Sequence, residues 1–342
     1  MKKTQTFDIP TVSASVAVDV ATRLKREGID PQPVFKETGI NPQATQDPYQ
    51  QVRLDQYTSL LELAAETTKT PALGLELGIH QDPSKWGAFG YVVLNSPTVG
   101  EALSNMARFL KPSQGGTHMA YLKSQSRIGI EYTILHPMVS HKIQDAEFAI
   151  AYIKNIVDRL SERQVTPLAV YFEHNPVSDH TTYKRLLGVE PHFDQPVNAI
   201  FYANAIAEKV VYSADRQLLA VIKHHLIDMA NALPDDFDLI QLVAYHIRQA
   251  LPSRQCRLEH IARLMATSAR TLQRHLSEHG TSFAEVLDNT RRDLAMQYMA
   301  NPTMEIKEIC YLLGFNDPSA YIKSFRKWTG TTPGRYREQL GD

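Results

Sequence analysis

At 342 residues, with 43% hydrophobic and 21% charged side chains, the chain has an ordinary globular composition and enough length for two separate cores. Two cysteines, Cys256 and Cys310, are too few for a disulfide framework or a cysteine metal cluster. The net charge of −1 hides an asymmetry: from Ser253 onward 13 Lys/Arg stand against 10 Asp/Glu, a surplus of three, which leaves −4 on the remainder.

Near the start, Lys2 and Lys3 are followed by Asp8, Pro10, Ser13 and Asp19, which interrupt any apolar run. That pattern argues against a signal peptide or membrane span and for a cytoplasmic protein. Helical periodicity is expected at about Ala14–Arg26, Leu54–Thr67, Val99–Leu110 and Lys142–Leu160. In the last of these, Phe148, Ala149, Tyr152, Ile153, Ile156 and Leu160 form the apolar face. Strands are expected at Thr117–Ser124 and Arg127–Leu135, with Gln125-Ser126 at a hairpin tip, and at Pro167–Glu173 and Ala199–Tyr202. Residues 1–232 therefore read as an α+β domain. Ala232-Leu233-Pro234-Asp235-Asp236 breaks the pattern, because Pro disfavours helix before it and Asp caps the helix after it. Beyond it, residues 236–342 read as a second, all-α domain. It opens with a helix over about Phe237–Leu251 that is expected to pack on the first of two repeated motifs.

In those motifs one helical pattern is written twice. Leu258, Ile261, Ala262 and Met265 fall opposite Ile306, Ile309, Cys310 and Leu313, and Leu272 and Leu276 fall opposite Tyr321 and Phe325. Each copy, 258–279 and 306–329, reads as a helix, a tight turn and a second helix, the helix-turn-helix form that enters a DNA major groove. Cys310 occupies a small apolar position of the repeat and is expected to be a buried structural thiol. Between the copies, Phe283, Val286, Leu287, Thr290, Leu294 and Tyr298 line one face of a helix over Phe283–Met299, which Asn301-Pro302 ends. Seventeen residues make a spacer of about 25 Å, suited to holding two recognition helices about one DNA turn, roughly 34 Å, apart.

In the first copy, Ser268 is the expected N-cap, Leu272 and Leu276 point inward, and Ala269, Arg270, Gln273 and Arg274 form the outer face. Arg can be bidentate to guanine and Gln to adenine. In the second copy, Asp317 caps and Pro318 takes the first helical position, with Ser319, Ala320 and Lys323 outward. That face has fewer base-reading groups and suits a methyl contact or phosphate grip. Arg270, Arg274, Arg291, Arg292, Lys323, Arg326, Lys327, Arg335 and Arg337 cluster on or beside the second helices. Such a stripe can bind phosphates on a near-neutral protein.

The run Gly314-Phe315, then Tyr321-Ile322-Lys323-Ser324-Phe325-Arg326-Lys327-Trp328-Thr329-Gly330-Thr331-Thr332-Pro333-Gly334-Arg335-Tyr336-Arg337, resembles the C-terminal signature of the AraC/XylS family of transcription regulators. Ser268-Ala269-Arg270-Thr271-Leu272-Gln273-Arg274 resembles that family's first recognition helix. The N-terminal stretch Trp86-Gly87-Ala88-Phe89-Gly90-Tyr91 through Leu103, and the later Phe172-Glu173-His174, Tyr183, Gly188, Phe193 and Asn198–Phe201, are similar to the arabinose-binding-type effector domain of the ornithine-utilisation-regulator subgroup. The resemblance implies a DNA-binding unit with two helix-turn-helices joined by a long helix. It also implies a small-molecule sensor, without saying which molecule.

Three other motifs fail. His275-Leu276-Ser277-Glu278-His279 has the spacing of an inverted zinc-protease helix, but it overlaps the first recognition helix and lacks a third ligand nearby in sequence. Gly87-Ala88-Phe89-Gly90 lacks the third glycine of a dinucleotide loop, and Asn301-Pro302-Thr303 is blocked as a glycosylation site by its proline. Residues 1–232 pair no nucleophile with a base, and no two carboxylates at a meaningful spacing. The expectation is therefore a transcription activator rather than an enzyme, with no cofactor, metal or catalytic residue. Residues 1–232 would bind an effector and dimerise, and 236–342 would bind DNA. Ser268, Ala269, Arg270, Thr271, Gln273, Arg274, Arg292, Ser319, Ala320, Lys323, Arg326 and Arg335 are the expected DNA contacts, and Phe89, Tyr91 and Tyr152 the effector-pocket candidates. Double-stranded DNA, a small-molecule effector, RNA polymerase and a second copy of the chain are the expected partners, with no membrane. The alternatives are a constitutive DNA-binding protein with a purely dimerising N-terminal domain, or an enzyme with a DNA-binding tail.

Overall fold

The structure, a computed structural model, describes residues 10–43, 50–110, 114–136, 139–231, 236–265, 267–300 and 304–341. Lys2, Lys3 and Asp8, the expected break at 232–235 and the Asn301-Pro302 stop lie outside these residues. Contacts divide the chain into two compact units, Met1–Leu233 and Pro234–Asp342.

The first unit is α+β. Its elements in order are β1 (Thr11–Ser13), α1 (Ser15–Arg26), α2 (Pro31–Thr38), β2 (Gln51–Arg53), α3 (Leu54–Thr67), α4 (Leu73–His80), α5 (Ala88–Leu94), α6 (Val99–Phe109), β3 (Thr117–Lys123), β4 (Arg127–Ile134), α7 (Ile143–Ser161), β5 (Ala169–Tyr171), α8 (His180–Leu187), β6 (Asn198–Ala203) and α9 (Arg216–Asn231). The main sheet is antiparallel with strand order β3-β4-β6-β5, and β1 pairs β2 separately. The β3–β4 hairpin turns at Gln125-Ser126, with Lys123 facing Ile128 across the register. The strand expected over Pro167–Glu173 is shorter, Ala169–Tyr171, because its single ladder partner β6 pairs only those three residues.

Helix α7 is the axis of this unit. Ala149, Ile150, Ile153, Ile156 and Val157 are buried, as are residues on most of its other faces. A helix buried around nearly its whole circumference is covered on all sides, and its buried polar residues must find partners there. α4 lies against it at backbone range: a Cβ on Gly74 would sit 2.0 Å from the Gln144 carbonyl oxygen, and one on Gly78 2.3 Å from that of Phe148. Glycines four apart on α4 thus make the flat stripe that this approach needs. Gln144 seals the contact by accepting from the Gly74 N–H and donating to the Pro71 carbonyl, both at 2.7 Å.

The second unit is all-helical: α10 (Asp236–Ala250), α11 (Leu258–Leu264), α12 (Ala269–Glu278), α13 (Phe283–Met299), α14 (Ile306–Leu312), α15 (Pro318–Thr329) and α16 (Pro333–Gly341). It has two small cores. Val243 and Ile247 of α10, with Leu251 just after it, bury Ile261, Ala262, Leu272, Leu276 and Val286. Ala295 and Met299 join Ile309, Cys310, Leu313, Phe315, Tyr321 and Phe325 in the other. α13 spans both, and Leu294 packs against each. The spacer is therefore held along its whole length by two cores rather than lying free between them.

Candidate nucleic-acid interface

Each helix-turn-helix is set by its caps. Ser268 accepts the Thr271 N–H at 3.1 Å, and its hydroxyl is 2.8 Å from that of Thr271. Asp317 accepts the Ala320 N–H at 2.9 Å, and Pro318 opens the helix without an N–H to satisfy. Satisfying these orphan donors fixes where each recognition helix starts, and so which side chains share a face. Gly314 makes the turn of the second motif at φ +67°, where an added Cβ would sit 2.7 Å from the Leu251 carbonyl oxygen.

On α12, Leu272 and Leu276 are buried, while Ser268, Arg270, Gln273 and Arg274 are exposed. Arg274 lies 3.7 Å from Glu278, an exposed i,i+4 pair that a DNA phosphate or base can displace at little cost. On α15, Tyr321 and Phe325 are buried, and Ser319, Lys323 and Arg326 are exposed. Ser319, Ile322, Lys323, Arg326 and Lys327 line one open depression of about 540 Å³. Arg335, on α16, is also exposed.

Several expected outward residues are placed otherwise. Ala269 and Ala320 are half-buried and pack against the two cores. Their small side chains let the first turn of each helix sit down on its neighbour. Arg292 is half-buried with its guanidinium on Asp293 at 3.1 Å, which already neutralises its charge. Lys327 is bound to Asp288 at 2.9 Å.

Arg291 turns inward and is half-buried. It donates to the carbonyls of Leu313 at 2.9 Å and Gly314 at 3.2 Å, and lies 4.5 Å from the Phe315 ring centroid. It thereby satisfies the carbonyls of the turn that follows α14. Burial lowers the pKa of its guanidinium. Arg337 likewise donates to the Met304 carbonyl at 2.7 Å. Both arginines hold the second motif together. Cys310 is fully buried and Cys256 half-buried, and burial pushes the Cys256 thiol up to about 11. His279, half of the rejected zinc spacing, has Nδ1 2.7 Å from the His275 carbonyl oxygen.

Sequence reasoning missed Ile322. It is 40% exposed between Ser319 and Arg326 on the same helical face, where an apolar side chain can meet a thymine methyl group. Its spacing of three and four from those neighbours was the available signal.

In the first unit, Phe89 and Tyr152 come together with Trp86, whose ring centroid lies 5.9 Å from Phe89 and 5.8 Å from Tyr152. Phe148 stacks on Tyr152 at 6.1 Å. Burial holds the Tyr152 hydroxyl far above its usual range. Tyr91 does not join them and is 43% exposed. Two residues along a helix turn the side chain by about 200°, away from Phe89.

Known families match both units. A family model described as the arabinose-binding domain of AraC transcription regulators matches residues 28–210, and a helix-turn-helix domain model matches residues 261–339. The chain is 27% identical to the ornithine utilization regulator of Pseudomonas aeruginosa across 99% of both chains. It is 26% identical to the HTH-type transcriptional regulator VirS of Mycobacterium tuberculosis across 94% of both. A solved structure, the transcriptional regulator CdpR of Pseudomonas aeruginosa, covers 90% of this chain and 96% of its own, at 20% identity and a TM-score of 0.41.

Proposed function

The chain belongs to the AraC family of transcription regulators, and from that premise we propose a cytoplasmic, ligand-controlled activator that reads two adjacent major grooves unequally. The carrying observation is the polar face of α12: Arg270, Gln273 and Arg274 are exposed opposite buried Leu272 and Leu276. These three read bases in one half-site, with Ser268 and Thr271 placing the helix end at the backbone. Ser319 and Lys323 address the next groove, and Ala320 sets the depth at which α15 seats. Arg326 and Arg335 grip phosphates, and Arg292 joins them once DNA draws it from Asp293.

In the first unit a small-molecule effector shifts the population of a DNA-competent arrangement. It can do so only through different affinities for the two states. Self-association through the same unit and contact with RNA polymerase complete the activator. The unit is read as a sensor rather than an enzyme because the matched relatives bear regulator names along their whole length.

Gel-shift titration on a selected site tests the DNA assignment. Arg274→Ala should cost about 1–3 kcal/mol at one base pair and relax preference there. Unchanged affinity and unchanged base preference would remove Arg274 from the reading set.

A further inference from the structure

Three cations of the second unit already hold a carboxylate: Arg274 on Glu278, Arg292 on Asp293 and Lys327 on Asp288. In the first two pairs, acid and base share one helix, four residues apart on α12 and adjacent on α13. The third pair crosses between helices: Asp288 lies on α13 and Lys327, 39 residues later, on α15. Asp288 Oδ2 accepts from Lys327 Nζ at 2.9 Å, and Oδ1 accepts the indole N–H of Trp328 at 3.1 Å. The indole is itself fixed, 6.3 Å from the Phe315 ring and 6.4 Å from that of Phe325, against the second small core. The carboxylate is therefore held by two donors, and its position does not depend on Lys327 alone.

Lys327 stands where a phosphate contact would be made. It follows Lys323 by four residues, the spacing that places side chains along one helical face. The two line one depression with Ser319, Ile322 and Arg326, and the Lys327 side chain is 72% exposed. By position it belongs to the basic stripe, but its charge is already matched. A lysine releases counterions from DNA only when its charge neutralises a phosphate. A phosphate drawn to Lys327 also meets the carboxylate that Trp328 keeps in place, and repulsion at that range offsets the attraction.

We propose that Asp288 is a positioning residue that withholds Lys327 from DNA phosphate and so weakens the grip of α15 relative to α12. The proposal rests on the reading of α12 and α15 as recognition helices. On this account the inequality of the two motifs is set partly by the spacer α13, which supplies the carboxylate, and not only by the outward residues of α15.

The log–log salt dependence of binding by the full chain, on a selected promoter duplex and on a duplex of scrambled sequence, tests this. Asp288→Asn keeps a carbonyl oxygen for the indole and removes the charge. Its slope should steepen by about 0.9, the value of one phosphate contact, so its advantage over wild type should grow about 3.5-fold between about 200 and 50 mM salt. The gain should be equal on both duplexes, because no base is read. Asp288→Asn combined with Lys327→Gln should return the slope to that of wild type. Lys323→Ala, the control for α15, should make it shallower by about 0.9. Circular dichroism checks that each variant folds, and Asp288→Ala, with the same steepening expected, decides if Asp288→Asn does not. An unchanged slope in folded Asp288→Asn would overturn the proposal. So would a double variant that stays steep, which would credit the carboxylate without Lys327, or one shallower than wild type, which would mean that Lys327 already grips a phosphate. Lys323→Ala without effect would instead refute the DNA role of α15 on which the proposal stands.

Discussion

Replacing Arg291 with Ala separates a structural arginine from a DNA-binding one. The side chain makes two charged hydrogen bonds to carbonyls at 2.9 and 3.2 Å and stacks on Phe315. Hydrogen bonds from a charged group contribute about 1.5–3 kcal/mol each, and the ring contact adds about 0.5–2 kcal/mol. Because the arginine is only half-buried, the low end of that sum applies: a loss of roughly 4 kcal/mol in the second unit, a fall in Tm of roughly 15–30 °C for a domain of this size. Arg291→Lys keeps the charge but not the planar fork that reaches both carbonyls, so it recovers less than half. The chain has two tryptophans, Trp86 and Trp328, one in each unit. In a Trp86→Phe background, Trp328 emission follows unfolding of the second unit alone. Salt dependence of promoter binding, measured well below Tm, supplies the other arm: its log–log slope should not change. A phosphate-binding arginine would instead leave stability near wild type and reduce that slope by about 0.9. That pair of results would refute the inward assignment.

Local geometry sets three further outcomes. Ser268→Ala removes the cap on Thr271 and should cost about 1 kcal/mol, read as faster amide exchange at Thr271; Ser268→Asp should keep protection. Gly314→Ala combines positive φ with a backbone clash and should cost more than the roughly 1–3 kcal/mol of a left-handed residue. Gly280→Ala, at φ +69° with nothing within 4 Å of the added atom, should cost only the conformational part, and chemical denaturation compares the two. Glu147→Gln should change the pH profile of the first unit. Burial raises the Glu147 pKa to about 8, so the folded state holds a proton that the unfolded state releases, and stability falls as pH rises toward 8. Tyr183, His174 and Glu62 are the titratable groups facing it. Asp145, raised to about 6 by burial, and His174, lowered by burial, act mainly at lower pH. Between pH 6.5 and 8, Glu147→Gln should therefore flatten the slope seen by thermal denaturation; an unaltered slope would mean that Glu147 does not titrate there.

The architecture of the second unit was legible because its repeat places apolar residues at helical spacing in both copies, and those positions form or flank the two cores, with Leu258, Met265 and Ile306 partly buried at their edges. α13 begins and ends where its periodicity predicts, at Phe283 and Met299. What could not be read was the direction of long charged side chains. Arg291 and Arg292 are adjacent in a basic run, yet one bonds the carbonyls of the turn after α14 and the other pairs with Asp293. That choice depends on partners 22 residues away or next door, not on helical phase. Alanine gives periodicity little weight, so the packing of Ala269 and Ala320 against the two cores leaves no mark in the pattern. In the first unit, Glu147 carries no signal in the sequence, because α7 is buried on almost every side and its polar residues do not mark a solvent face. Its pairing with His174 and Tyr183 exists only after β5 and α8 fold against α7.

Hydroxyl-radical footprinting of the full chain on a selected promoter site tests the bipartite reading most directly. Two protected stretches about one helical turn, roughly 10 base pairs, apart are expected on one face of the duplex. Replacing Arg270, Gln273 and Arg274 together with Ala should erase one stretch and leave a weakened other. A single protected stretch, or two that both survive that substitution, would contradict it.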